Sequence, residues 1–247
     1  MSLNTAVILV AGVGSRLRPI TDDRPKALVD IGGETILGRA CRLLRHAGID
    51  RFVLATGYRE DSVKAAVREL DGDFVFCRNP DYASTQNSVS LALCAPALRD
   101  KPFLKLDGDV VFEPRLLERL LSAEPELDLA VLVDSKRERD AEAMKVRVDE
   151  GRIVEFGKGI SLARSHAETM GIERLSALGG GQVIDAIDAH VARGDRGLYY
   201  EDVYSELVQR GALTAAALEG GDLAWTEIDT FEDLERARGL LAPVRNA

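Results

Sequence analysis

Directly after the apolar run Ala6-Val7-Ile8-Leu9-Val10, residues 11–26 read Ala-Gly-Val-Gly-Ser-Arg-Leu-Arg-Pro-Ile-Thr-Asp-Asp-Arg-Pro-Lys. Residue types at this spacing suit the binding of a triphosphate. A buried strand ends, and Gly12 and Gly14 let the backbone turn tightly. The turn brings N–H groups around Ala11 and Ser15 close to phosphate oxygens. Arg16 and Arg18 add planar cationic forks, and Lys26 adds a point charge held after the stiff Pro25. A dinucleotide fingerprint would require a third glycine where Leu17 stands. A P-loop would require Gly-Lys-Ser/Thr, whereas Lys26 follows proline. Neither pattern fits.

A bound triphosphate concentrates negative charge, and Mg²⁺ offsets it. This ion takes oxygen ligands and keeps several waters, so one or two carboxylates suffice. Two segments offer them. Asp107-Gly108-Asp109 follows the apolar strand Phe103–Leu106, with Gly108 allowing a bend. Glu227-Ile228-Asp229 ends another short strand, before Thr230 as the expected cap of the last helix. On residue type alone, Asp107 reads equally as a turn residue, and Asp229 as a helix cap. The stretch Tyr82–Leu91 joins a polar loop to a helix start. There Gln86, Asn87 and Ser88 offer amides and a hydroxyl to a pyrimidine edge or a ribose, or to ordinary capping. Gly57-Tyr58 falls at the same sheet edge. Tyr199, Tyr200, Glu201, Asp202, Trp225 and Glu227 mix rings with carboxylates, a set that suits an ammonium head, sugar-like hydroxyls or plain core packing. Trp225, Glu227 and Asp229 alternate along a strand and so share one face.

The string Gly-x-Gly-Ser/Thr-Arg-Leu, a nearby proline and then Pro-Lys resembles the signature of nucleotidyltransferases that join a nucleoside triphosphate to a phosphorylated small molecule. Val10 stands where that family usually carries alanine. The stretch around Gln86-Asn87-Ser88 resembles the branch acting on phosphocholine, inositol phosphate or aminoethylphosphonate. So do Asp140–Val146, Phe156-Gly157-Lys158 and Ala167–Ile172. The resemblance implies a Mg²⁺-dependent reaction of CTP with a phosphorylated or phosphonate small alcohol, releasing pyrophosphate. It places the metal on Asp109 and Asp229, the triphosphate on Arg16, and the α-phosphate or acceptor phosphate on Lys26. Ala11, Gly12, Gly14, Ser15, Gly57, Gln86, Asn87, Ser88 and Asp107 would surround the nucleotide. Lys145 or Lys158 would neutralise the acceptor phosphate, with Glu168, Tyr200, Glu201, Trp225 and Glu227 around its other end. A sugar-1-phosphate nucleotidylyltransferase using UTP, dTTP or GTP keeps the same chemistry. A non-catalytic nucleotide-sensing regulatory subunit is the alternative of another class.

Such a site needs a scaffold, and the hydrophobic pattern supplies one. Through residue 106 strand and helix patterns alternate, with strands at Ala6–Val10, Arg51–Ala55, Phe74–Cys77 and Phe103–Leu106. Helices are expected at Ile36–Ala47, Asp61–Leu70 and Asn87–Leu98. This alternation predicts a three-layer α/β fold with a mainly parallel, Rossmann-like sheet, and the resemblance implies the nucleotide-diphospho-sugar transferase type. Ligands then bind at the carboxyl ends of strands, where residues 11–26 and 107–109 both fall. Later strands are expected at Leu129–Asp134, Lys145–Asp149, Arg152–Phe156, Ile172–Leu175, Thr214–Leu218 and Trp225–Ile228. Helices follow at Leu178–Ala192, Tyr200–Arg210 and Phe231–Leu241. One domain over residues 1–247 is expected, with a nucleotide half to about residue 125 and an acceptor half beyond. The 247 residues carry a net charge of −9, which argues against a nucleic-acid or anionic-membrane surface. Three cysteines without CxxC spacing, no signal-peptide pattern and no membrane-length apolar stretch point to a cytoplasmic protein. Oligomeric state is not legible.

Overall fold

Side-chain alternation along the strands sorts the apolar residues into two sets, and that sorting builds the layers. The structure, a computed structural model, describes residues 3–241; the outermost residues of the expected 1–247 domain lie outside the described ones. Strands β1 (Thr5–Leu9), β2 (Arg51–Thr56), β3 (Asp73–Arg78) and β4 (Phe103–Asp107) run parallel in the order β3-β2-β1-β4. On one face Ala6, Ile8, Phe52, Leu54, Leu104 and Leu106 pack with helix α1 (Ile36–His46) and with Val63 of α2 (Glu60–Ala66). On the other, Val7, Val53, Ala55 and Phe103 pack with α3 (Asn87–Ala92) and α4 (Ala95–Leu98). The expected helix over Asn87–Leu98 is thus two short ones. Pro96, which has no N–H to donate, opens the second.

The second half departs from the parallel expectation. It contributes β5 (Val110–Phe112), β6 (Leu129–Asp134), β7 (Lys145–Asp149), β8 (Arg152–Gly157), β9 (Ala167–Leu175), β10 (Ala215–Glu219) and β11 (Trp225–Glu227). Helices α5 (Arg115–Leu121), α6 (Ala177–Ala192), α7 (Tyr200–Gln209) and α8 (Phe231–Leu241) accompany them. The nine-stranded sheet continues from β4 as β9-β6-β10-β8-β7. Strand β9 lies antiparallel between β4 and β6, and β7 and β8 form a hairpin. The sheet is therefore mixed. A parallel neighbour requires a crossover long enough to return the chain. The Glu150-Gly151 turn and the helix-free connection 158–166 provide none.

A two-stranded ribbon of β5 and β11 stands apart from the main sheet. Neither β5 nor α5 was expected from the sequence. The ribbon carries a small third core of Leu17, Val29, Ile31, Ile36, Val111, Ile228, Leu234 and Ala237. That core bonds the glycine-loop segment, the ribbon and α8 into one unit, and it positions the site described next.

Candidate active site

Where β1 ends, the chain enters the loop 10–26. Gly14 adopts φ 68°, a left-handed conformation that L residues rarely take. A Cβ on Gly14 would stand 2.7 Å from Cβ of Lys26, so this glycine also lets the lysine stem pass along the loop. Gly12 has no such constraint; nothing lies within 4 Å of where its Cβ would be. The loop is pinned from outside. The Thr21 hydroxyl donates to the Gly14 carbonyl at 2.9 Å, and the Tyr58 hydroxyl donates to the Asp22 carbonyl at 2.8 Å. Gly57 belongs to this clamp and does not line the cleft beside it. Its Cβ would meet the Ala11 carbonyl at 2.8 Å, and the N–H of Tyr58 donates to that same oxygen.

The chain turns at Gly108-Asp109, and Gly108 also permits a close approach. A Cβ there would stand 2.5 Å from the Leu9 carbonyl, to which its own N–H donates at 3.0 Å. Asp109 is thereby set beside the loop mouth. The Asp109 carbonyl accepts from the Ile228 N–H at 3.0 Å, and Glu227 pairs with Val110 in the ribbon. This join brings Asp229 to Asp109. Thr230 and Asp233 cap α8 reciprocally, the Thr230 Oγ1 accepting from the Asp233 N–H and the Asp233 carboxylate from the Thr230 N–H. The Asp229 side chain is therefore not the cap and turns into the cleft.

Lys26 meets both aspartates. Its Nζ lies 2.5 Å from Asp109 Oδ2 and 2.8 Å from Asp229 Oδ1, and Arg16 reaches Asp229 Oδ2 at 3.1 Å. Burial opposes the lysine's charge, but the two carboxylates outweigh it and hold the ammonium above the ordinary lysine value. Arg18 instead pairs with Asp22 at the surface, outside the cleft. Glu227 lines the cleft and is exposed to it, yet the walls crowd its carboxyl. That desolvation, with Asp109 and Asp229 beside it, raises its carboxyl to about 8. Oxygens of Asp109, Glu227 and Asp229 lie within 4.8 Å of one another. Asp109 Oδ1 is buried without a hydrogen-bond partner among the described residues. An all-oxygen donor set with an orphaned buried oxygen fits a hard divalent cation.

The open cleft has a volume of about 830 Å³, room for a nucleotide and a second small molecule. Ala11, Gly12, Gly14, Ser15, Arg16, Lys26, Gln86, Asn87, Asp107, Asp109 and Asp229 all line it, as do Lys158, Glu168, Glu201, Trp225 and Glu227. Besides Gly57, three expected site residues do not. Ser88 is buried and donates to the Leu198 carbonyl at 2.6 Å. Lys145 is 2% exposed, and its ammonium is spent on the Asp140 and Ala143 carbonyls, each at 3.0 Å. Tyr200 is fully buried beneath the cleft, with its hydroxyl donating to Asp107 Oδ2 at 2.8 Å.

Asp107 also meets Lys105, which lies 3.0 Å from it and 3.1 Å from Glu173, with the Tyr200 ring 3.5 Å from the ammonium. Strand alternation explains the cluster: Lys105 and Asp107 share the face of β4 that α7 covers. Three carboxylates, counting Glu201, face one lysine in a buried place. Desolvation first, then mutual repulsion, raises Glu173 to about 7 and Glu201 to about 8, against the pull of Lys105. Glu201 Oε2 has no hydrogen-bond partner among the described residues.

At the distal end both cleft-facing rings are already capped. The Arg137 guanidinium sits 4.6 Å from the Trp225 ring centre and pairs with Glu168 at 3.1 Å. Lys158 Nζ lies 4.9 Å from the Tyr199 ring centre and 3.3 Å from Glu142. The Trp225 indole N–H donates to Asp134 at 2.9 Å. Sequence reasoning missed Arg137 and Asn79. Asn79 is buried and its amide donates at 2.9 Å to both Thr85 and Ser90, fixing the polar shelf beside Gln86. Nothing in their local pattern distinguishes them from ordinary loop residues.

Residues 6–217 match the MobA-like NTP transferase domain, and the chain belongs to that family. It is 31% identical over 97% of its length to CMP-5'-(3-aminopropyl)phosphonate synthase of Streptomyces rubellomurinus, of whose length it spans only 39%. It is 29% identical to CTP:phosphoglutamine cytidylyltransferase of Campylobacter jejuni, with 93% of this chain and 97% of that protein aligned. The structure of the inositol-1-phosphate CTP transferase from T. maritima superposes with a TM-score of 0.82 at 25% identity, covering 97% and 95% of the two chains. No helix among the described residues is long and apolar enough to cross a membrane.

Proposed function

We propose that this NTP transferase joins CTP to a phosphorylated or phosphonate small alcohol. An acceptor phosphate or phosphonate oxygen attacks the α-phosphorus, the bond to the β-phosphate oxygen breaks, and pyrophosphate leaves. No protein nucleophile is needed, because the acceptor brings its own oxyanion. Lys26 and Arg16, converging at the mouth of the glycine loop, neutralise charge that moves to the leaving group. Asp109 and Asp229, with Glu227 beside them, would hold Mg²⁺, which screens the two polyanions when bound. Gln86 and Asn87 face the nucleotide from the α3 end. Residues to about 125 serve the nucleotide, and the later half serves the acceptor.

The observation that carries this reading is the meeting of Lys26 with Asp109 and Asp229, three charges from three distant segments at one loop mouth. A merely nucleotide-sensing subunit has no use for that set. Three relatives named for CTP, or for a CMP-linked product, support the nucleotide. Their acceptors are a phosphonate, phosphoglutamine and inositol phosphate. The distal cleft favours such heads over a quaternary ammonium, because Arg137 and Lys158 already cover the rings that an ammonium would use.

The test is pyrophosphate release from CTP, UTP, dTTP and GTP, each with aminoethylphosphonate, inositol phosphate, phosphocholine and hexose-1-phosphates. The expected result is turnover with CTP and a phosphonate or inositol phosphate acceptor. Preference for UTP, dTTP or GTP with a hexose-1-phosphate would establish the sugar alternative instead.

A further inference from the structure

We propose that Lys26 is the stand-in cation of the metal seat, so that ion binding and release of the lysine from its aspartates are one exchange. This rests on the reading that Asp109, Glu227 and Asp229 hold the divalent ion. The Lys26 ammonium occupies the place between two of those carboxylates, at 2.5 Å and 2.8 Å. Any ion that takes Asp109 and Asp229 as ligands must share them with, or take them from, a charge already there.

The lysine has somewhere else to go. Its stem runs along Gly14, whose missing Cβ would have stood 2.7 Å from Lys26 Cβ and 3.3 Å from Cγ and Cδ. Rotation of the last methylenes carries the ammonium away from the aspartates and over the loop that lines the phosphate end of the cleft. The backbone stays still while this happens, because the small core of Leu17, Val29 and Val111 locks the segments around it. Lys26 is only 15% exposed and its stem lies against Gly14, so the exchange is confined to its terminal methylenes and ammonium.

The two arrangements have different ligand demands. Without nucleotide, the lysine keeps three crowded carboxylates from repelling one another and excludes a lone ion by charge. With a triphosphate bound, the lysine gains phosphate oxygens and surrenders the aspartates to the ion. Metal alone therefore binds weakly, and nucleotide and metal each raise the affinity for the other. One side chain links them.

The experiment measures Mn²⁺ binding to the nucleotide-free full chain by the free-ion signal, with Mg²⁺ as competitor. Thermal melting with and without the ion accompanies it. Lys26→Met should bind Mn²⁺ at least tenfold more tightly than the natural protein. It should melt lower without metal and gain more on metal addition. Lys26→Gln serves the same comparison should the methionine variant not fold. Lys26→Arg, which keeps the charge, should bind no more tightly than the natural protein, and Lys101→Met, at an exposed position ahead of β4 and outside the cleft, should match it. Equal or weaker Mn²⁺ affinity in Lys26→Met and Lys26→Gln overturns the exchange while leaving the metal reading intact. No binding in any variant, with or without nucleotide, overturns both.

Discussion

At the phosphate end of the cleft every charged group sits on backbone that an apolar core holds; at the distal end the charged groups hold one another. Lys26, Asp109 and Asp229 are fixed by the Ile228–Asp109 backbone bond, the ribbon register and the core of Leu17, Val29, Val111 and Leu234. Arg137, Glu142 and Lys158 come from loops or a strand end, and their partners are Glu168, Trp225 and Tyr199. Rigid placement of opposite charges is what electrostatic transition-state stabilisation needs. Adjustable placement is what a site needs if related chains are to accept different small alcohols. The contrast predicts that substitutions at the first end cost turnover, and that substitutions at the second redistribute acceptors.

The largest effect belongs to Lys26. Lys26→Ala should lower turnover roughly 100- to 1000-fold, about 3–4 kcal/mol of lost stabilisation of the leaving charge. Its two ion pairs also give Lys26 a structural part: the variant should melt lower in metal-free buffer. Near-natural turnover would dissolve the contrast between the two ends.

Asp109→Asn and Asp229→Asn come next. Each should shift the Mg²⁺ titration of turnover to higher concentration by about tenfold or more, since an amide is a poorer ligand for a hard dication. Asparagine caps helices about as well as aspartate. Because Thr230 and Asp233 form the cap, helix stability should change little in either case. An unaltered Mg²⁺ titration for Asp229→Asn would return this residue to a purely structural part.

Beneath the cleft, the Lys105 cluster divides the two ends and invites a pH test. Glu201 is raised in the folded chain to about 8 from the usual carboxylate range. A raised folded value means that its contribution to stability is complete below the unfolded pKa and is lost as pH rises through about 8. The natural protein should therefore lose stability between about pH 5 and pH 9. Glu201→Gln, which mimics the neutral acid, should flatten that loss by on the order of 2 kcal/mol at pH 9. Urea midpoints across the range measure it. A natural protein as stable at pH 9 as at pH 6 would mean that Lys105 keeps all three carboxylates charged.

The same division explains what was legible. The glycine loop, Lys26, Asp109 and Asp229 are readable because chemistry there depends on fixed spacing within short segments. The layers are readable because alternation and helical periodicity are local. Sheet direction was not, since β9 inserts between β4 and β6 by a long-range pairing that no local pattern announces. Lys145 and Tyr200 look like site residues by type, and only the register and burial of β7 and α7 turn them inward. Arg137 carries no signal at all; its role exists only because Trp225 stands opposite.

Arg137 makes the smallest and most discriminating prediction. The natural chain presents Trp225 with its ring covered by a guanidinium that Glu168 holds. A quaternary ammonium must displace that cation before it gains the ring, and cation–π attraction is worth only about 0.5–2 kcal/mol. Arg137→Met removes the cap and leaves an apolar stem in its place. Catalytic efficiency with phosphocholine should then rise relative to inositol phosphate and aminoethylphosphonate, by roughly tenfold, the upper part of that range. Glu168, freed of its partner, adds negative charge in the same direction once the pH is high enough to ionise it. Its carboxyl is raised to about 7 by burial, with Arg137 opposing. Loss of the arginine pushes it further up, so the gain should grow with pH. Turnover at saturating CTP and good acceptor should hardly move, because Lys26 and its aspartates are untouched. If Arg137→Met instead lowers efficiency equally for every acceptor, the distal end is as rigid as the phosphate end, and the guanidinium touches the reacting phosphate rather than the head group.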